Sequence, residues 1–407
     1  MNFVIVSTCF LPAKDAESFC TTRFASALAR MGHSVHVVTL DHSAEVSEAI
    51  VKALVSDRLQ ITRIPYGVSR RPFLSQLRYR TDEWMSAVLD EFISRTKDIL
   101  AHTENPILIS RTYSISSLIV GWNCRKQAMK WICHLSDPIP FPDRMPTLSL
   151  CLRSISHYLR LKWNSRWVRR GLRDSDALSV TCPLVLDFFR EQYGAALVDR
   201  TPNFVTTHIG DSRLQMTGGQ PFRRTFPGKM ILCTGASYAC RNFNAVIAAV
   251  VNLNRQGLTC SFVHIGEASK VTCPGLADYP NAYVSYPDEP GLALAAAREA
   301  DVLYTAENDP VFDYAPQLPS KFVYQLYEDK PIVADTLARS MMHDCCVQYP
   351  EAGIYWADKR DPTTLESAIR EALACSPEKM SRSRIRQAFS ETEIAGRFVK
   401  NVQSILS

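Results

Sequence analysis

The chain has 407 residues, of which 46% are hydrophobic and 21% charged, and it carries a net charge of +5. This composition excludes a disordered, collagen-like or coiled-coil protein, and the length predicts two or three domains. The first residues lack a cationic leader, and no uncharged apolar run approaches the ~20 residues that span a bilayer, so we expect neither a signal peptide nor a membrane span. Thirteen cysteines without a C-x-x-C pair predict free thiols in a reducing cytosol.

Short apolar runs alternate with amphipathic segments, a pattern typical of parallel sheets covered by helices. The predicted strands of the first half are Phe3–Thr8, Ser34–Leu40, Leu59–Pro65, Ile107–Ser110, Trp131–Leu135 and Ala177–Thr181, with helices near 16–31, 82–100, 114–127, 151–172 and 183–192. The predicted strands of the second half are Met230–Thr234, Ser261–Ile265, Ala282–Tyr286, Val302–Thr305 and Pro331–Asp335, with helices near 242–255, 291–299, 319–328 and 362–374.

The alternation stops once, over residues 209–229, a stretch rich in Gly and Pro that has no period. We interpret it as the linker between two α/β domains, 1–208 and 230–384, and we predict a final helical segment over 385–407. Doubly wound domains of this kind bind their ligands at the carboxyl ends of the strands.

A series of motifs along the chain follows a known order. The motifs are Phe3–Pro12 with Ala27–Val35, His134–Pro138, Thr201–Asn203, Gly235–Asn242, Leu318–Lys321 and Lys330–Ala334. In order and spacing they resemble the GT-B glycosyltransferases, and most closely the retaining family four of those enzymes, which act in bacterial polysaccharide and glycolipid synthesis. The resemblance covers essentially the full chain. It implies two Rossmann-like domains that face each other across a crevice, with the acceptor in the first, the nucleotide sugar in the second, and the final helix returning to the first domain.

The turn Pro319-Ser320-Lys321 opens an apolar helix in the second half. Ser320 is a candidate N-cap, and the free N–H groups of the first turn together with Lys321 would attract an anion; an ordinary capped helix is the alternative. The resemblance assigns this turn, and the turn from Gly235 to Arg241, to the diphosphate of the donor. The predicted donor-binding residues are Gly235, Ser237, Arg241, Tyr286, Glu307, Asp313, Leu318, Pro319, Ser320, Lys321 and Tyr324.

The chain departs from the family at the paired glutamates that hold the donor sugar and ribose. Counting back from Lys330 places these positions at Tyr324 and near Pro316, and neither residue is acidic. Glu307, Asp309 and Asp313 lie just upstream and are the candidates to supply the carboxylate. The alternative is that they are solvated loop residues.

In the first half, we expect His134 and Asp137 to be the catalytic residues. His134 ends a buried strand, and the resemblance places it near the transferred sugar, where it contacts a hydroxyl; without the resemblance, a structural histidine is equally consistent with the sequence. The segment Leu11–Glu17 stands where the family has a glycine-containing loop. Lys14 and Glu17 are its predicted acceptor-side residues.

Basic residues are concentrated in the first half, where residues 1–205 carry 26 Lys+Arg and 19 Asp+Glu, against 20 and 22 in residues 206–407. Residues 153–173 hold seven cations and no acid beside Trp163 and Trp167, and residues 70–80 form a second basic and aromatic cluster. Cations beside Trp are typical of a helix on an anionic membrane surface. A solvated helix face is the alternative, and nucleic acid is not an expected partner.

Several other site classes lack support. Asp174 and Asp176 form an Asp-x-Asp pair, but one pair does not make a metal site, and the chain has no G-x-G-x-x-G, Walker, H-E-x-x-H or G-x-S-x-G motif. We therefore expect transfer of a sugar from a nucleotide-diphosphate sugar to a hydroxyl of a glycan, polysaccharide or lipid-linked acceptor, without metal or cofactor and with retention. The expected location is the cytoplasm or the cytoplasmic membrane face. A GT-B nucleotide-sugar epimerase and a non-catalytic GT-B subunit remain alternatives.

Overall fold

A computed structural model of the chain describes residues 1–43, 45–65, 72–81, 84–112, 114–140, 151, 154–216, 221–236, 241, 243–267, 271 and 273–407. The chain forms two compact units. The first unit consists of Met1–Ile209 and Glu391–Ser407, and the second of Gly210–Ser390.

The first unit is built on a parallel sheet of seven strands in the order β3-β2-β1-β4-β5-β6-β7. The strands are β1 (Asn2–Val6), β2 (Ser34–Asp41), β3 (Leu59–Pro65), β4 (Pro106–Thr112), β5 (Lys130–Leu135), β6 (Ala177–Val180) and β7 (Asn203–Val205). The helices between them are α1 (Ala16–Arg30), α2 (Glu48–Leu54), α3 (Pro72–Tyr79), α4 (Leu89–Ala101), α5 (Ile115–Cys124), α6 (Ile155–Asp174), α7 (Pro183–Tyr193) and α8 (Ala195–Val198). The strand order reverses between β1 and β4, which is where doubly wound sheets open a ligand site.

The second unit contains a parallel sheet of six strands in the order β10-β9-β8-β11-β12-β13. The strands are β8 (Lys229–Thr234), β9 (Cys260–Ile265), β10 (Tyr283–Tyr286), β11 (Val302–Ala306), β12 (Ile332–Thr336) and β13 (Ile354–Asp358). The helices are α9 (Asn244–Arg255), α10 (Pro290–Glu299), α11 (Ser320–Gln325), α12 (Met341–Gln348), α13 (Thr363–Ala374) and α14 (Ser383–Ala388). The order is again the doubly wound one, with its reversal between β8 and β11, so the predicted α/β class with two Rossmann-like sheets is confirmed.

The last helix, α15 (Glu391–Leu406), belongs to the first unit although it follows the second unit in the chain. The Phe398 ring meets the Phe24 ring of α1 edge to face, with 4.9 Å between ring centroids. Arg30 Nε lies 2.6 Å from Glu391 Oε1. Apolar burial and this ion pair both attach α15 to α1.

The segment interpreted as a linker packs largely on the second unit. Phe222 and Phe226 are buried, and Arg224 Nη1 lies 2.9 Å from Asp301 Oδ2. Gly210 donates its N–H to the carbonyl of Phe389 in the same unit. The change of unit therefore falls after Ile209, at the start of the Gly- and Pro-rich stretch.

Several other features bear on the sequence predictions. Among the described residues, no helix is long and apolar enough to cross a membrane. The described cysteines are free thiols. The predicted helix over 82–100 consists, where described, of a short 3-10 segment, Trp84–Val88, followed by α4, and the predicted helix over 385–407 is divided into α14 and α15.

Candidate functional site

In the second unit, Gly235 follows β8 with a φ of +88°, a conformation that favours glycine. Its N–H donates to Ile265, and its carbonyl accepts a 2.7 Å hydrogen bond from Nε2 of His264. A Cβ on Gly266 would lie 2.4 Å from the Gly235 carbonyl oxygen. The backbones after β8 and β9 are therefore held in close contact, and His264 fixes the direction of the Gly235 carbonyl.

Two of the predicted donor-binding cations meet at the end of β8. Lys321 donates from Nζ to the carbonyl of Thr234 at 3.1 Å and lies 3.9 Å from Cys233 Sγ. Burial, together with the nearby charge of Arg241, lowers the pKa of Lys321 to about 8. Arg241 is itself half-buried. Two poorly solvated cations lie close together here, and a bound anion would stabilise their charged forms.

The helix that follows does not form the predicted capped anion site. The N-cap residue of α11 is Pro319, not Ser320, and its side chain makes no cap hydrogen bond. Ser320 is the first helical residue, and α11 has only six residues. The expectation that Ser320 caps the helix is wrong, because the turn places that serine one position too late. The positive charge of this turn comes from Lys321.

Of the three candidate carboxylates, only Glu307 is buried, with 2% of its surface exposed. The Thr336 hydroxyl donates to its Oε2, whereas Oε1 has no hydrogen-bond partner within the described residues. Burial raises the pKa of Glu307 to about 8. Asp309 lies 3.6 Å from Lys359, and the side chain of Asp313 is 73% exposed. The solvated alternative therefore holds for Asp313, whereas Glu307 is a buried carboxyl whose surroundings favour its neutral form.

The remaining predicted donor residues lie around this edge. Leu318 is buried, and Tyr324 is half-buried on α11. Tyr286 ends β10, with its hydroxyl 3.1 Å from Thr225 Oγ1 and its ring packed edge to face against Phe222. Tyr286 is thus held by the segment before β8. Ser237 lies outside the described residues.

In the first unit, a buried polar network lies at the carboxyl ends of β4 and β5. Arg111, from β4, is 3.2 Å from Glu17 Oε1 and donates from Nη1 to Nε2 of His134 at 2.9 Å. Glu17 also accepts from the hydroxyls of Thr21 and Ser136. Glu17 is the second residue of α1 and is buried, so it is not the loop residue that the sequence predicted.

His134 has both ring nitrogens occupied by protein groups. Its Nδ1 lies 2.9 Å from Ser179 Oγ, which itself donates to Thr206, so Nδ1 carries the hydrogen. Burial, then the charge of Arg111, holds the pKa of His134 well below its usual range. The ring is 1% exposed. This arrangement favours the structural interpretation of His134. Asp137, three residues later, is half-buried and therefore more accessible to solvent than His134.

The comparisons with known proteins agree with this architecture. Residues 19–208 match the model of the family described as Glycosyltransferase Family 4. Similar solved structures include trehalose-6-phosphate synthase OtsA, with 11% identity, a TM-score of 0.63 and 99% of each chain covered. TarM has 8% identity and a TM-score of 0.66, with 100% of this chain and 98% of that chain covered. The chain has the two-domain GT-B fold.

A third similar structure is that of Medicago truncatula UGT71G1 complexed with UDP-glucose, with 10% identity, a TM-score of 0.52 and 98% of each chain covered. At these identities the structural likeness shows the fold alone. No curated protein sequence matches this chain. The family match lies in the first unit, and the structural matches extend the GT-B fold through the second.

The Asp-x-Asp pair of the first unit has structural roles. Asp174 accepts from the indole N–H of Trp122 at 2.8 Å, and Asp176 accepts from the backbone N–H of Trp131 at 2.8 Å. Within the part of the chain that the structure describes, no group of three His, Cys, Asp or Glu side chains could hold a metal ion.

Sequence reasoning missed a second buried polar group, which lies in the second unit. Tyr304 of β11 donates its hydroxyl to Asp335 Oδ2 at 2.6 Å, and Lys359 Nζ lies 3.4 Å from the same oxygen. The signal was present, because a tyrosine and an aspartate interrupt otherwise apolar strands. Arg111 gave the same signal, as a charge inside the apolar run of β4.

Proposed function

We propose that the protein transfers a sugar from a nucleotide-diphosphate sugar to an acceptor hydroxyl and that the second unit binds the donor. The observation that carries this proposal is the pair of cations, Lys321 and Arg241, beside the positive-φ turn at Gly235. Glycine lets the backbone approach a phosphate closely, and an arginine can bind two phosphate oxygens at once.

The chemistry that we propose is electrostatic. As the bond to the sugar breaks, negative charge grows on the diphosphate, and cations already in place stabilise it without reorganising. A cation that is poorly solvated gains more from an anion than one in water. Lys321 is in that position, since burial already disfavours its charged form. In this proposal the two side chains supply the positive charge that a metal ion supplies in other transferases.

We propose that Glu307 binds the donor sugar. Its Oε1 is buried without a hydrogen-bond partner in the described structure, and Thr336 holds the other oxygen. An unsatisfied buried oxygen is costly, and a sugar hydroxyl would satisfy it. Glu307 then takes the place of the family's glutamates, which this chain lacks at Tyr324 and Pro316.

The first unit would bind the acceptor through the loop after β5. The network of Glu17, Arg111 and His134 fixes that loop through Ser136, so that Asp137 is presented to the acceptor hydroxyl. By its resemblance to the retaining family, the protein would transfer the sugar with retention of the anomeric configuration. The acceptor would be a polysaccharide or a lipid-linked glycan.

An acceptor at a membrane surface is supported by the exposed stripe of α6. Ile155 and Leu159 are 65% and 45% exposed, and the exposed Lys162 continues the same face about one turn later. Apolar residues followed by cations suit insertion at an anionic lipid interface. We therefore propose peripheral association with the cytoplasmic face of the membrane.

The test is a panel of nucleotide sugars added to the purified protein, with binding measured by calorimetry and released nucleotide measured with and without acceptor glycans. We expect one class of nucleotide sugar to bind. Lys321→Ala and Arg241→Ala should each weaken that binding at least about tenfold, because each removes a charge-assisted contact. Lys379→Ala is the matched control, since Lys379 is an exposed cation of the same unit.

Each outcome of the panel has a meaning. Binding of no nucleotide sugar contradicts the proposal, and so does unchanged affinity in both variants. Conversion of the donor to an isomer without acceptor or nucleotide release would favour an epimerase. Binding without conversion of any donor in the presence of the full acceptor panel would favour a non-catalytic subunit.

A further inference from the structure

A polar cavity of about 460 Å³ lies in the first unit, among α3, α4, α5 and α6. It is lined by Arg78, Tyr79, Arg80, Asp90, Ile93, Lys97, Asn123, Arg166, Trp167 and Arg170. The two basic clusters that the sequence showed as separate, within residues 70–80 and 153–173, therefore meet in one pocket.

Specific contacts hold the walls of this pocket together. The indole N–H of Trp167 donates to the carbonyl of Tyr79 at 2.7 Å, and Thr81 Oγ1 donates to Asn164 Oδ1 at 3.2 Å. These bonds fasten the end of α3 to the middle of α6. The guanidinium of Arg170 lies over the Trp167 ring, 4.3 Å from its centroid. A pocket built on such contacts is largely pre-formed.

The charge of the pocket is strongly unbalanced. It has five cationic side chains and one carboxylate, and that carboxylate, Asp90, already accepts from Arg78 at 2.6 Å and from the Tyr79 hydroxyl. Within the described residues, Arg80, Lys97 and Arg166 have no carboxylate partner. Burial, then the neighbouring arginines, lowers the pKa of Arg170. Crowded cations of this kind are stabilised when an anion binds among them.

The pocket is remote from the carboxyl edge of the sheet, where ligands of the transfer reaction would bind. It includes Asn123 in the last turn of α5, a helix that starts at the carboxyl end of β4 and runs about 15 Å along the sheet. The neighbouring Trp122 bonds to Asp174, which precedes the amino end of β6. The pocket therefore lies in the helical layer, toward the amino ends of the strands.

We propose that this pocket is a second anion site that binds a phosphate-bearing ligand, either a phosphomonoester or the phosphate of a phospholipid headgroup. Arginine is suited to this role because its planar guanidinium forms paired hydrogen bonds with phosphate oxygens. Arg80, Arg166 and Arg170 would surround the phosphate, with Lys97 adding charge and Asn123 a side-chain amide. The proposal does not depend on the transfer reaction, because none of these residues belongs to the donor site.

The test removes charge from the pocket while keeping the side-chain stems. The variant is Arg80→Gln with Arg166→Gln, both of which are exposed residues whose substitution leaves the core intact. The control is Arg58→Gln with Lys126→Gln, which removes two exposed cations of the same unit outside the pocket. All proteins carry Lys321→Ala, so that phosphate binding at the proposed donor site is suppressed.

Two kinds of probe distinguish the two sources of phosphate. Calorimetry with glycerol 3-phosphate and with inorganic phosphate tests soluble ligands, and co-sedimentation with phosphatidylcholine vesicles, with or without phosphatidylglycerol, tests the headgroup. We expect at least one probe to bind the control protein, and the pocket variant to bind it at least about tenfold more weakly. Soluble binding identifies a phosphomonoester site, and binding only to phosphatidylglycerol vesicles identifies a headgroup site. No binding of any probe, or equal binding by variant and control, overturns the proposal.

Discussion

Donor binding should depend on pH through Lys321. Burial lowers the pKa of this side chain to about 8, so the protonated fraction in the free protein falls from about nine-tenths at pH 7 to about one-tenth at pH 9. If the diphosphate requires the charged form, its affinity decreases about tenfold over that range. Because the two phosphates of a nucleotide sugar do not titrate between these values, the change belongs to the protein.

The assay is a calorimetric titration, at pH 7, 8 and 9, of the nucleotide sugar that binds in the panel. Lys321→Arg is the decisive variant, because an arginine stays protonated across this range and its complex should show a nearly flat pH dependence. Heat measured in buffers of different ionisation enthalpy should report proton uptake on binding above pH 8. The reasoning is refuted if wild-type affinity changes less than twofold, or if Lys321→Arg loses affinity as steeply as the wild type.

Three further substitutions have defined outcomes. Glu307→Gln should raise the midpoint of thermal unfolding at pH 8.5 by several degrees but leave it unchanged at pH 4.5. The reason is the raised pKa of Glu307: the native wild-type protein loses stability as the pH rises from the ordinary pKa of a glutamate to about 8, and glutamine removes this loss. Arg111→Met should lower the free energy of unfolding in urea by about 3–5 kcal/mol, since it leaves the Glu17 carboxylate buried without its cation. Adding Glu17→Gln to the same chain should restore part of that free energy. Gly266→Ala should weaken donor binding, because its Cβ would displace the Gly235 carbonyl; equal affinity in calorimetry would contradict this.

Each of these has its own control. Gly257→Ala is the control for Gly266→Ala: Gly257 also has a positive φ, +86° against +151° at Gly266, but open space around its Cβ, so it should destabilise the protein without affecting donor binding. An increase in the unfolding midpoint of Glu307→Gln that is the same at pH 4.5 and pH 8.5 would mean that the carboxyl does not titrate there. A loss below 1 kcal/mol in Arg111→Met would mean that Glu17 is solvated.

Most of the fold could be predicted from the sequence because buried parallel strands have a clear pattern. The strands at Ser34 and Leu59 begin at the predicted residue. β13 was missed because it is an edge strand, and Tyr355 and Trp356 within it are only partly buried. α3 was missed because eight residues give too little periodicity.

The site was predictable only where short motifs carry it. Lys321 and Arg241 occupy motif positions, and the structure brings both to the end of β8. The pairing of Arg111 with Glu17 joins residues 94 positions apart in the chain, and no local pattern reports such a contact. The burial of Glu307, which raises its pKa, likewise depends on how other segments pack around the end of the strand, and the sequence of the loop does not reveal it.

The two proposed anion sites should differ in their response to salt. The pocket of the first unit uses cations such as Arg80 and Arg166, which are exposed and therefore screened within about 8 Å at physiological ionic strength. The donor site relies on Lys321 and Arg241, both half-buried, which salt screens less than fully exposed cations. Raising NaCl from 50 to 300 mM should therefore weaken phosphate binding in the pocket several times more than nucleotide-sugar binding. Calorimetry on the same protein at both salt concentrations checks this, and parallel decreases at the two sites would show that Lys321 is as well solvated as the surface arginines.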